Sequence, residues 1–193
     1  MAQGRKPRLT AADWAGAALD AIGEGGLGAV AVEPLAARLG ATKGSFYWHF
    51  PNRDALVTAA LDLWERRHTE DVITAVEVEP DPARRLRLLF TTVIAAVGTD
   101  STEAAVLAAA EDPLVAPVLA RVTERRVSYL AEAFHELGYP PAEARRRGLL
   151  AFSAYLGHAQ LVHATPAVLP RGPQAQREYV DRILDLLMAP PGG

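Results

Sequence analysis

The 193-residue chain has no cysteine, only two methionines and 7% aromatic residues. Without thiols it can form no disulfide, thiolate nucleophile, Cys-ligated zinc site or iron–sulfur cluster. That suits a reducing cytoplasm and excludes a small secreted disulfide scaffold. No apolar run approaches the roughly 20 residues of a membrane helix. The basic stretch from Met1 to Leu9 runs into Asp13 and Asp20 instead of an apolar segment, so no signal peptide is expected. Positive charge is not in excess either. Twenty Lys+Arg face 23 Asp+Glu, a net charge of -3, which argues against coating nucleic acid by charge alone but leaves room for a locally basic reading surface. Apolar residues are abundant at 50%, enough for the core of one domain or of a small module joined to a larger one.

The pattern is helical nearly throughout, with i, i+3, i+4 apolar spacing cut into segments by Pro, Gly and capping residues, and no stretch alternates as a strand. Thr10 and Asp13 predict a capping box, with Leu9 stapling onto Trp14, for a first helix ending at Gly23. A short helix is expected from Glu33 to Leu39 with Gly40 as its stop, then another from Thr42 to His49. Asn52 caps a long helix to about Val78. Further starts fall at Asp81-Pro82, at Asp100 with Glu103, at Asp112-Pro113, at Pro140-Pro141 and at Pro173, making nine helices. Pro166 to Pro173 reads as a loop.

Two short helices joined at Gly40-Ala41 form the pattern of a helix-turn-helix, whose second helix enters the DNA major groove. On that second helix Phe46 and Phe50 share a side suited to Leu35, Leu39 and the first helix, while Gly44, Tyr47 and Trp48 lie opposite. Tyr47 offers a hydroxyl to a phosphate, and Trp48 offers apolar contact to a thymine methyl or sugar. Lys43 can reach base edges or backbone. Thr42 and Ser45 add short donors, Gly44 permits close backbone approach, and His49 and Arg53 flank the site.

The run from Gly25 to Gly40, continuing as Ala41-Thr42-Lys43-Gly44-Ser45-Phe46-Tyr47-Trp48-His49-Phe50-Pro51-Asn52-Arg53-Asp54-Ala55-Leu56, closely resembles the DNA-binding domain of the tetracycline-repressor (TetR) family. The match covers about Leu9 to Leu61. The resemblance implies an all-α homodimer with a three-helix DNA-binding domain over residues 1–53 and a six-helix ligand-binding and dimerisation domain over 54–193. It also implies a double-stranded, palindromic operator and a repressor released by a small-molecule effector, with an activator or a ligand-independent regulator on the same fold as the alternative, and no cofactor, no metal and no enzymatic activity. By the same resemblance Lys43, Gly44, Ser45 and Tyr47 read or position on DNA, with Thr42, His49 and Arg53 near phosphates, and Trp48 at a position whose contact varies. One departure is Val32-Glu33-Pro34. Val32 supplies neither a cap nor a hydroxyl, and Glu33 would repel a nearby phosphate. The load shifts to the third helix and to an arm formed by Arg5, Lys6 and Arg8, which could follow the backbone or a minor groove.

Beyond Leu61 the sequence speaks mainly of packing. Trp64 and His68 on the fourth helix, Phe90 on the fifth, Tyr129 on the seventh, and Phe152 and Tyr155 on the eighth are the candidate lining of an effector cavity, suited to an apolar or aromatic ligand. Ala151, Ala154, Gly157 and Leu161 on the eighth helix, with Tyr179, Ile183, Leu186 and Leu187 on the ninth, are the candidate dimer surface. A rival reading, a di-metal helix bundle, rests on Glu65 with His68 and Glu132 with His135. The helical wheel turns Glu132 to the solvent side and sets Glu65 about 100° from Trp64, so the rival lacks inward ligands.

Overall fold

The computed structural model describes residues 9–189, so the Arg5-Lys6-Arg8 arm lies outside the described residues. Those residues form α-helices and short 3-10 turns, with no strand among them. Helix α1 (Ala11–Gly25) opens with the expected box: Thr10 Oγ1 accepts from the Asp13 amide, and Asp13 accepts from the Thr10 amide. It runs past Gly23 because Gly26, at φ 72°, is the residue that leaves the helical region. Helix α2 (Val32–Arg38) starts behind Ala31 with no side-chain cap, and α3 (Lys43–Tyr47) starts behind Thr42, whose hydroxyl accepts from the Ser45 amide at 3.2 Å.

Asn52 caps α4 through the Ala55 amide at 2.9 Å. This helix begins as Arg53–Glu65, passes through a π-helical turn at Arg66–Glu70 and finishes as Asp71–Val76. The remaining helices are α5 (Pro82–Val97), α6 (Thr102–Ala108), α7 (Ala116–Glu136), α8 (Pro141–Ala164) and α9 (Pro173–Met188). Helix α7 starts later than Asp112-Pro113 suggests, because the Asp112 carboxylate accepts from the Leu114 amide and forms a turn first.

Two apolar cores result. The first gathers Trp14, Phe46, Leu56 and Trp64 with Val106 of α6 and Val122 of α7. The second joins the end of α4 to α5, α7, α8 and α9 around Phe90, Phe134, Phe152 and Leu184. The first core therefore does not stop at residue 53. It continues along α4 to Trp64 and reaches across to α6, so the N-terminal helices are packed onto the larger unit. Helices α7 and α8 approach so closely at Gly148 that a Cβ there would stand 2.9 Å from Val127 O and Ala131 N.

Candidate DNA-reading surface and effector cavity

Phe46 is fully buried and meets Trp14 edge-on at 5.4 Å, with Phe50 stacked at 5.8 Å. This aromatic contact fixes the roll of α3 about its own axis. The other side of the same short helix is then obliged to face outward: Tyr47 is 54% and Trp48 81% exposed. Gly44 has no positive φ, and a Cβ there would meet only Thr42 Oγ1, at an ordinary 3.8 Å. The fold itself does not require glycine at that place, so its absent side chain is available for close approach by a partner. Thr42 is already engaged as the α3 cap.

Two charged residues are engaged in ways that the sequence did not announce. Lys43 Nζ lies 2.8 Å from Glu33 Oε1, and each holds the other in its charged form: the Lys43 pKa is raised and that of Glu33 lowered by the shared hydrogen bond. Arg53 turns inward. Its Nε donates to Val30 O at 2.7 Å and its Nη2 to Leu27 O at 2.6 Å. It ties the loop after α1 to the start of α4, and in this arrangement its main partners are carbonyls of its own chain.

In the larger unit a cavity of about 60 Å³ is lined by His68, Phe90, Tyr129, Phe152 and Tyr155, five of the six candidates. Trp64 is the exception. It is fully buried in the first core, with the Arg126 guanidinium 5.3 Å from its ring centroid. One turn short of His68 on α4, it points away from the cavity and toward α1 and α7. The lining also contains Arg126, which sequence reasoning missed. Arg126 donates to Glu103 at 2.7 and 3.2 Å, to Thr69 Oγ1 at 2.9 Å and to His68 O at 3.1 Å. The last two bonds grip the π-helical turn, so one buried cation joins α7, α6 and the distorted part of α4. A second compartment of about 60 Å³ adjoins the first and shares His68, Val72, Val93 and Tyr155 with it.

Burial lowers the pKa of His68, opposed by Asp100 with its carboxylate 3.4 Å away, so the imidazole is less basic than usual. Burial pushes the Tyr155 phenol far up, so it remains a neutral hydroxyl. The two Glu–His pairs are drawn apart. Glu65 is bound by Arg121, and His135 Nδ1 lies 3.0 Å from Tyr139 O. Among the described residues no group of three or more His, Cys, Asp or Glu is placed to hold a metal ion.

Of the candidate dimer residues, Ala154, Leu161, Tyr179, Ile183 and Leu187 are half-buried and Gly157 is exposed. Leu186 is 67% exposed, and Leu150, one turn before Ala154, is 59% exposed. Ala151 needs correction. It has no exposed surface and lines the cavity, because the close α7–α8 crossing at Gly148 turns that side of α8 inward.

An exposed aromatic pair and a lysine on the second helix of a helix-turn-helix, carried on a helical body with an internal cavity, are parts that a DNA-binding regulator uses. Residues 16–60, from within α1 to within α4, match the profile of bacterial regulatory proteins of the tetR family. No curated protein matches the chain. Among solved structures, a transcriptional regulator from Rhodococcus sp. Rha1 superposes with a TM-score of 0.73 at 23% identity, covering 93% of this chain and 94% of that one. FadR from Bacillus subtilis, solved with stearoyl-CoA, gives 0.67 at 14% identity over 93% and 98%. AibR, solved with isovaleryl coenzyme A and operator DNA, gives 0.63 at 21% identity over 93% and 98%. These likenesses extend the shared fold over nearly the whole chain. Among the described residues no helix is long and apolar enough to cross a membrane.

Proposed function

We propose that the protein is a homodimeric repressor that binds a palindromic operator through α3 and is released by a small apolar or aromatic effector entering the cavity between α4, α5, α7 and α8. The observation that carries the DNA-reading half is the opposed orientation of α3, with Phe46 locked into the core while Tyr47 and Trp48 stand in solvent. Lys43, Gly44, Ser45 and Tyr47 are the groups that meet base edges and backbone, with Thr42 and His49 flanking. Arg53 serves as a positioning residue that braces the reading helices from behind.

The dimer half rests on the apolar stripe of Leu150, Gly157, Leu161, Tyr179, Ile183 and Leu186, which two copies of α8 and α9 would cover as a four-helix bundle. Such a dimer sets its two reading helices about 34 to 36 Å apart, one DNA turn, or at a related wider spacing. An effector favouring a different spacing weakens DNA binding by its differential affinity. That a related fold holds both an acyl-CoA and operator DNA in AibR supports this arrangement.

The test is footprinting on the DNA flanking the protein's own gene, followed by gel-shift titration of the protected duplex with Lys43→Ala and Tyr47→Ala. Both variants should lose operator affinity by about tenfold or more. Unchanged affinity in both would refute the assignment of α3.

A further inference from the structure

The two small compartments share a polar partition whose charges do not cancel. The first compartment is apolar around Phe90, Val93 and Phe152. The second takes in Asp100 and Glu103. Glu103 is matched by Arg126 at 2.7 Å. Asp100 has no such match on its inner side. Its Oδ1 accepts from the Thr102 amide at 2.8 Å, and its Oδ2 lies 3.4 Å from His68, an imidazole made less basic by burial. Arg67 stands toward the open surface beside Asp100, where Asp20 and Glu24 also lie. The partition therefore carries a net negative charge, with Glu103 buried and Asp100 part-exposed, and a carboxylate-bearing ligand there would meet both carboxylates.

At the other side, Tyr129 lines the first compartment and is 7% exposed; its hydroxyl, in the field of Arg85, Glu77, Glu136 and Arg125, has no hydrogen-bond partner among the described residues. A buried hydroxyl without a partner costs free energy that a ligand oxygen or nitrogen would recover.

Size narrows the class further. A single water needs about 10–15 Å³, so two adjoining compartments of about 60 Å³ each suit a compact ligand.

We infer that the effector is a small amine, with an aromatic or alicyclic body in the first compartment, its ammonium against Asp100 at the His68–Tyr155 partition, and a hydrogen-bonding group toward Tyr129. This rests on the proposal that the cavity is the effector site. It favours a compact organic cation over a long acyl chain, because the two adjoining compartments measure only about 60 Å³ each. When the ammonium arrives, the weakly basic His68 yields Asp100 to a full positive charge. Tyr155, held neutral by burial, keeps its hydroxyl near Glu103 and Asp100 as an uncharged donor at the same partition.

Three ligands of nearly one shape test it. Tyramine carries the ammonium and the oxygen, phenethylamine lacks the oxygen, and 3-(4-hydroxyphenyl)propionate exchanges the ammonium for a carboxylate. Isothermal titration and melting shifts on the full chain should rank tyramine first, about fivefold tighter than phenethylamine and at least about tenfold tighter than the propionate. Asp100→Asn should erase the preference for the ammonium, and Tyr129→Phe should bring tyramine down to the level of phenethylamine. The ligand ranking on the unaltered protein stands even if a variant folds poorly.

Equal or tighter binding of the propionate, or an Asp100→Asn protein that still prefers tyramine, overturns the inference and leaves the cavity as effector site intact. Failure of all three ligands, together with the uncharged 2-(4-hydroxyphenyl)ethanol, overturns both.

Discussion

The Arg126–Glu103 pair offers the sharpest quantitative test of how this fold is held together. The two side chains are 12% and 9% exposed and share two hydrogen bonds, at 2.7 and 3.2 Å. Arg126→Met would leave the Glu103 carboxylate buried beside Asp100 with no cation, and would release Thr69 and the His68 carbonyl in the π-helical turn. Breaking one partner of a buried pair costs about 3–5 kcal/mol, chiefly because the other charge is stranded. For a domain of this size each kcal/mol moves the melting temperature by about 2–4 °C, so the expected drop is roughly 6–20 °C. Glu103→Leu alone should also destabilise, since it strands Arg126 against Trp64 and the carbonyl. The double variant Arg126→Met with Glu103→Leu removes both charges and should recover to within about 1–2 kcal/mol of the parent, because an apolar replacement of a whole buried pair is often neutral. The assay is a double-mutant cycle of chemical and thermal unfolding at one fixed protomer concentration. If the double variant were as unstable as the sum of the singles, the two residues would not be coupled, and the reasoning from stranded charge would fail.

Three further outcomes follow from the same geometry. Gly148→Ala places a methyl 2.9 Å from two backbone atoms of α7, which cannot swing aside as a side chain would; a loss of about 1–3 kcal/mol by urea unfolding is expected, and a neutral result would show that the crossing can relax. Glu33→Gln frees Lys43 from its ion pair at 2.8 Å, so the log–log salt slope for a random duplex should steepen by up to about 0.9. An unchanged slope would mean that Lys43 is not held back in the free protein. Burial lowers the pKa of both His68 and His158 below the ordinary 6.5, with His68 facing Asp100, Glu103, Arg126 and Arg67. The unfolded chain then binds more protons between the folded value and 6.5, so this contribution to stability is complete above pH 6.5 and declines as pH falls through that window. Melting curves from pH 7.5 to 5.5 should show the decline, and His68→Gln with His158→Gln should flatten it; a flat parent profile contradicts the sign.

Local rules carried the reading of the fold a long way. The Thr10–Asp13 box, the Asn52 cap and the Asp81 cap are each formed within four residues of sequence, and each appears where its residues predicted. The split of α3 into a Phe46–Phe50 side and a Tyr47–Trp48 side is equally local, since it follows from 100° per residue. What escaped was the set of features decided between distant segments. Arg53 and Arg126 look like any surface arginine in sequence. Their partners sit 23 to 58 residues away, and only packing says that they turn inward. Trp64 and Ala151 satisfied the apolar periodicity, but periodicity gives a face and not the neighbour that covers it. Trp64 met the first core instead of the cavity, and Ala151 met α7 and the cavity instead of a second copy. The π-helical turn at Arg66–Glu70 left no sequence mark because its stabilising contact comes from Arg126 on α7.

The three tryptophans also divide the molecule optically. Trp14 and Trp64 are sealed in the first core, whereas Trp48 stands 81% exposed at the end of α3. A collisional quencher such as acrylamide or iodide would therefore extinguish one indole and leave two as a constant blue-shifted background. On a duplex that covers α3, the quenchable fraction should vanish without any attached dye. The protected emission carries separate information, since one of its two sources lies beneath the Arg126 guanidinium at the wall of the cavity. Occupancy of the DNA surface and events at the cavity wall can thus be followed in a single unlabelled sample, through two populations of the same chromophore.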